Sequence, residues 1–282
     1  MFRLLYEYAT RLLTWLALAI AFVVFVFPLY YLVVTSLKTH AELFQAVPTL
    51  FPRQPTLASY PSLLFDQGFA QLLLNSIVVG ISATALALVI AFAICYPITR
   101  LPVRPRMRSF VLNWALSLRF LPPIAVVIPY FLIVRTIGLY NQIPALVIVY
   151  TIFNLPLSIW MLKGFLEQIP AEVEEAALVD GGTRFQAFRL VLLPLASTGI
   201  LAAGIIVFAF DWAEFLFAFI LTATPDSMTF PVGVQGLVTQ FEIIWNDMAA
   251  GGVIAILIPL VLMLFARRYV IAGLTFGVIR EK

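Results

Sequence analysis

An all-α membrane protein with six transmembrane helices is the fold class this sequence predicts, on three observations. Its 282 residues are 63% hydrophobic and only 11% charged, and the mean hydropathy is +1.05. Uncharged runs near or above the roughly 20 residues that cross a bilayer recur along the chain. These runs do not alternate polar and apolar over about 10 residues as barrel strands do, so helices are left to satisfy the backbone in hydrocarbon.

The first span is Leu12–Val34, behind Arg3 and Arg11. It is longer than the about 7–15 apolar residues of a signal peptide, and no small-residue cleavage site follows Tyr30-Tyr31, so it is expected to be retained. Residues 35–70 form an outer loop broken by Pro48, Pro52, Pro55 and Pro61. The second span lies between Asp66 and Arg100, where no charge falls. The third, between Arg108 and Arg135, is interrupted only by Arg119. A short turn, Gly138-Leu139-Tyr140-Asn141-Gln142, leads into the fourth, which ends near Lys163. The fifth runs from Arg189 to Asp211 and the sixth from Asp247 to Arg267. Between them, Thr222–Asn246 carries Pro225, Pro231, Gly233 and Gly236 and is longer than a connection needs, which marks a contact element. The expected organisation is residues 1–69 (first helix and outer loop), 70–268 (a five-helix membrane domain with a polar loop at 165–194) and 269–282 (a tail).

Loop charge sets the orientation. The N-terminus, the 99–108 and 163–194 loops and the C-terminus hold thirteen Lys and Arg residues, against Lys38, Arg53 and Arg135 on the other side. Both termini and the 163–194 loop are therefore expected in the cytoplasm. The net charge of +3 reports topology, not a nucleic-acid partner. No Gly-x-x-x-x-Gly-Lys-Ser/Thr loop is present, so the chain is not itself an ATPase. His40 is the one histidine and Cys95 the one cysteine, which excludes a His pair for zinc and an internal disulfide. No metal site or catalytic set is expected. No internal repeat is visible either, which counts against a secondary transporter built from inverted halves.

The most polar stretch is the 163–194 loop. Residues 171–180 read as one short helix and 183–192 as a second, joined at Gly181-Gly182, with Pro194 starting the next span. Pro170 precedes the first helix at no cost in hydrogen bonds. Glu172, Glu174 and Glu175 favour its N-terminal dipole. Ala176 and Ala177 allow close approach by another surface, and the glycine pair permits a sharp positive-φ break.

The pattern Glu175-Ala176-Ala177-x-x-Asp180-Gly181-Gly182, followed by Phe188 and Pro194, resembles the EAA motif of permease subunits in ABC-type importers. That family more often has alanine at position 182. Further segments resemble the maltose-type carbohydrate branch: Asn75-Ser76, Leu121-Pro122-Pro123 with Pro129, Trp212-x-Glu214-Phe215-Leu216-Phe217, Pro231-Val232-Gly233, and Arg268-Tyr269-Val270 with Gly273-Leu274-Thr275-x-Gly277. Ala213 stands where the family more often has asparagine. The resemblance implies the type I importer permease fold and a multi-pass subunit of the bacterial inner membrane. Its implied partners are a second permease, expected as a heterodimer, two ATP-binding subunits and an extracytoplasmic solute-binding protein. ATP and Mg would be used by the ATPase, with no cofactor bound by this chain. Glu174, Glu175 and Asp180 would make polar contacts with that ATPase, Ala176, Ala177, Gly181 and Gly182 would allow close approach, and Phe188 would anchor the loop. The expected solute is a sugar or related polyol compound, with glycerol phosphate or its diesters as an alternative. A stand-alone secondary transporter is the alternative of a different class.

Arg119, Asp211 and Glu214 fall within spans, where each costs about 2.5–3.5 kcal/mol unless paired or wet. Asp211 and Glu214 are three apart and would share a helix face. Together with Asn75 and Trp212 they are candidates for a translocation path, where the acidic face would meet Arg119 or water. A static ion pair joining the third and fifth spans is the other reading.

Overall fold

The computed structural model describes residues 2–45, 47–238 and 244–275. Gly277, Arg280 and Lys282 of the expected tail lie outside the described residues. Every regular element among the described residues is helical. Those that position the site are α1 (Phe2–Ser36), α2 (Phe69–Arg100), α3 (Pro105–Arg119), α4 (Pro123–Thr136), α5 (Ile143–Leu166), α6 (Glu172–Val179), α7 (Leu193–Trp212), α8 (Leu216–Leu221) and α9 (Trp245–Thr275). Among the described residues, five helices are long and apolar enough to span a membrane: Thr10–Ser36, Phe69–Arg100, Ile143–Leu166, Arg184–Trp212 and Trp245–Phe265.

The stretch expected as the third span is instead the pair α3 and α4, which together are apolar enough to count as a sixth candidate but are bent by 98° at their junction. The bend falls where the sequence carries Pro122-Pro123. Pro122 is extended, at φ −63° and ψ 132°, and Pro123 opens α4. A residue before proline is pushed out of the helical region, and proline cannot donate to the preceding turn. One apolar stretch is thereby split at its middle, with Arg119 at the end of its first half.

The chain divides into two compact units, Met1–Phe69 with Val234–Ile256 and Ala70–Gly233 with Leu257–Lys282. In the first, Glu42 accepts from the Thr49 hydroxyl at 2.6 Å and from the Arg53 N–H at 3.0 Å. The Thr49 bond leads the causes that hold the Glu42 carboxyl below its ordinary pKa. Asp247 and Asn246 on α9 receive Gln67 and reach Ser59 at 2.7 and 2.9 Å. Within the same unit, α1 leaves Leu12, Trp15, Phe22 and Phe25 exposed, as suits a surface in hydrocarbon.

The second unit holds two apolar cores. One gathers Val79, Leu146, Val149, Tyr150, Phe217 and Leu221; the other gathers Cys95, Ile159, Leu162, Leu166, Leu192 and Ala203. Both are built on α5, whose sequence is apolar on every side and which is accordingly the most buried of the spans.

Candidate functional site

The polar loop folds from local rules. α6 carries Glu172, Glu174 and Glu175 in its first turn and ends in a Schellman motif. Gly181 N–H donates to Leu178 O at 3.1 Å and Gly182 N–H to Ala177 O at 3.0 Å. Gly181 sits at φ +86°, in the left-handed region that L side chains avoid. A Cβ on Gly182 would lie 2.7 Å from the Ala177 carbonyl oxygen, so the alanine more usual there in the family would require a shift of this backbone. Thr183 then forms a capping box with Gln186, which starts the next element at once.

That element is not the separate helix expected over 183–192. A turn at Arg184–Gln186 passes into a π-helix at Ala187–Leu192, which runs on into α7. Pro194 therefore lies inside a continuous helical segment instead of opening a new one. Having no N–H, it breaks one bond of the ladder, and the widened turn just before it accommodates the ring.

The sequence groups Glu174, Glu175 and Asp180 as polar contacts for a partner, and the structure separates them. Glu174 is buried, its carboxylate 2.7 Å from Nε of Arg100 at the end of α2. The Arg100 guanidinium also donates to Leu166 O and Ile169 O at 2.9 and 2.8 Å, at the end of α5 and just beyond it. One cation thus ties α2, α5 and α6 together. Helical periodicity carries the signal for this: Glu174 shares a face with the half-buried Ala177 and Leu178. Glu175, Ala176, Val179, Asp180 and Gly181 are exposed on the other side. Phe188 packs edge-on against Phe92 and Tyr96, with ring centroids 5.7 and 5.3 Å away.

Arg119, Asp211 and Glu214 do not form the static ion pair that is the other reading of these charges. Arg119 is exposed and lies over the Phe210 ring at 5.0 Å, and among the described residues it pairs with neither Asp211 nor Glu214. The two acids do not share a helix face, because α7 ends at Trp212. Asp211 is buried and accepts from Thr84 Oγ1 at 2.9 Å and Asn154 Nδ2 at 2.6 Å, which joins α2, α5 and α7. Glu214 instead accepts from the N–H groups of Phe217 and Ala218 at 2.8 and 3.2 Å, capping the start of α8. Replacing Glu214 with alanine is therefore expected to cost about 1 kcal/mol, or roughly 2–4 °C in Tm. Glu214→Gln keeps one acceptor but turns its N–H₂ toward the second N–H, so it should melt between the alanine variant and the parent protein in the same detergent.

Trp212 is buried and stacks on Phe208 at 5.9 Å. Asn75 is buried too, and its amide donates to Pro225 O and Met228 O, both at 2.9 Å. The carboxamide expected to face a path therefore clamps the segment after α8. Sequence reasoning passed over its counterpart, Asn141, at φ 60°. Asn141 Oδ1 accepts from Ala223 N–H, Thr224 N–H and Ser227 Oγ at 2.7, 3.0 and 2.6 Å. The available signal was the Asn in a Gly-flanked turn, since asparagine tolerates the left-handed region.

Comparison with known proteins adds four findings. Residues 98–273 match the family described as binding-protein-dependent transport system inner membrane component. The chain is 36% identical to the sulfoquinovosyl glycerol transport system permease protein SmoH of Agrobacterium fabrum, over 94% of this chain and 92% of that protein. It is 37% identical to the trehalose transport system permease protein SugB of Mycobacterium tuberculosis, over 82% and 84%. Among solved structures, a bacterial ABC transporter that imports the acidic polysaccharide alginate aligns with a TM-score of 0.74 at 20% identity, over 91% of this chain and 94% of that one. This last likeness speaks for the fold.

Proposed function

The chain belongs to the family of binding-protein-dependent transport system inner membrane components, and from that premise we propose that it is the permease subunit of an ATP-driven importer for a sugar or related polyol compound. The observation that carries the coupling role is the two-sided α6: its inner face is tied down by Arg100–Glu174, and its outer face, with Glu175, Ala176 and Asp180, is free. That free face would seat on an ATPase subunit, with Gly181 and Gly182 turning the chain back into the bundle. Two such ATPase subunits would bind ATP and Mg, a second permease would complete a heterodimer, and an extracytoplasmic binding protein would deliver solute. Both termini and α6 would then lie in the cytoplasm, as the bias of basic residues supports. Transmission of ATP hydrolysis needs an element with two arrangements that both sites bias, and an anchored helix can move as a rigid lever.

The relatives named for sulfoquinovosyl glycerol and trehalose support the carbohydrate class. Glycerol phosphate or its diesters is the alternative solute within the same importer class. Along the path, Arg119 and Glu214 keep accessible surface and remain the candidates for solute contact. Asn75, Asp211 and Trp212 have their side chains engaged inside the unit and would act by shaping it.

Gly181→Val tests the coupling role. A β-branched residue at φ +86° carries about 1–2 kcal/mol or more of strain, released by distorting the turn behind α6. In a reconstituted importer, solute uptake should fall at least about tenfold (1.4 kcal/mol) while binding of solute to its binding protein is unchanged. Full uptake by Gly181→Val or Gly181→Asp, with no ATPase present, would point to the stand-alone transporter instead.

A further inference from the structure

Between α2 and the first part of α7, within the second unit, lies an apolar groove of about 670 Å³, a volume in the range of ligand sites, about 300–1,000 Å³. Val89, Phe92 and Ala93 form one wall, and Phe185, Leu193 and Ile200 the other. The α2 side follows one helical face from Leu88 to Tyr96, a track of roughly 12 Å at 1.5 Å per residue. Val89 and Phe185 are each 66% exposed, so the groove is open along its length. Its end beside α6 is different in kind: there Arg184 joins the lining. The Arg184 side chain has no hydrogen bond or ion pair among the described residues. This cation thus closes an otherwise apolar channel at the first residue of the candidate membrane segment Arg184–Trp212.

We propose that this groove binds one anionic phospholipid, its acyl chain lying along α2 and α7 and its headgroup phosphate paired with Arg184. The match is one of charge and depth. Apolar walls running into the bilayer suit a hydrocarbon chain, and an unpaired guanidinium at the level of the headgroups suits a phosphate, which it can grip through two parallel N–H donors. Basic sites between membrane helices on the cytoplasmic side are where anionic lipid headgroups collect, and this groove opens on the same end of the unit as α6. The leaflet assignment rests on the permease function proposed above. Lipid here would touch Phe185 and Phe188, the residues that lead the loop into the bundle, so its presence would bear on coupling.

The test is photo-cross-linking in the assembled importer, reconstituted in nanodiscs with phosphatidylglycerol carrying a diazirine on its acyl chain. Adducts are expected on Val89, Ala93 or Leu193, falling about tenfold in R184E, as loss of a charge-assisted contact implies. Phosphatidylcholine with the same chain should label about tenfold less. Ala93→Trp, which fills the groove, should remove the adducts without changing the charge. Equal labelling by the two lipids, labelling unchanged in R184E, or no adducts in the groove would overturn the proposal. So would disulfide capture of another subunit by a cysteine placed at Ala93, and so would loss of the Arg184 effect under excess inorganic phosphate, which would assign the cation to a free anion. Gly181→Val, assayed in the same preparation, keeps the two proposals apart: an unlabelled groove in an importer that this variant uncouples removes the lipid site alone.

Discussion

Replacing Arg100 with alanine is expected to destabilise the protein by about 3–5 kcal/mol and to uncouple whatever importer assembles. The figure is that for removing one member of a buried ion pair, because the Arg100 and Glu174 side chains are only 9% and 10% exposed. Removing arginine leaves the Glu174 carboxylate buried without its cation and frees the carbonyls of Leu166 and Ile169. Glu174→Ala should cost a similar amount, since it strands the guanidinium. The two effects should not add, because both changes remove the same interaction. An apolar pair of similar volume, Arg100→Met with Glu174→Leu, restores packing without charge and should recover much of the stability. That double variant separates two roles for Glu174. As an inner strut of α6, its loss is tolerated once the fold is restored, and solute-stimulated ATPase activity returns with stability. If stability returns but the stimulation does not, Glu174 acts on the ATPase directly and the inward placement does not describe the working state.

Legibility from sequence followed the range of the interactions. The break after α6 was readable because Gly181, Gly182 and Thr183 act on neighbours within five residues. The Pro122-Pro123 bend is local in the same sense, although its 98° angle is not written in the residues. Side-chain partners chosen across the fold were not readable. Arg119 and the acids were matched by charge and depth, yet Asp211 found two uncharged donors 127 and 57 residues away and Arg119 found an aromatic face. Glu214 was misplaced for a subtler reason. A helix carried two residues further would have set it beside Asp211, but α7 stops at Trp212, and the carboxylate then satisfies the free N–H groups of the next helix. Asn75 was named as a candidate for the path at the opening of the second span. Its work, holding Pro225 and Met228 by their carbonyls, required knowing that the segment after α8 returns to the start of α2.

Asp211→Ala is expected to have the second large effect, because the carboxylate is the acceptor common to two buried donors on different spans. Its removal orphans the Thr84 hydroxyl and the Asn154 amide, at about 1–3 kcal/mol for each unsatisfied buried group, and Asp211→Asn is expected to lose part of that by turning an N–H₂ toward one donor. Asn154 also holds its own Oδ1 buried without a donor, which makes the reciprocal exchange informative. Asp211→Asn combined with Asn154→Asp keeps one carboxylate and one amide in contact and moves the charge from α7 to α5. If Asp211 is a brace, the exchange should recover stability to within about 1 kcal/mol of the parent, the scale of one net hydrogen bond, and uptake should recover with it. If the exchanged protein melts like the parent and carries no solute, the position of the charge matters to transport and Asp211 belongs to the path. The distinction is physical: a brace depends on which groups are satisfied, whereas a path depends on where the field is strongest.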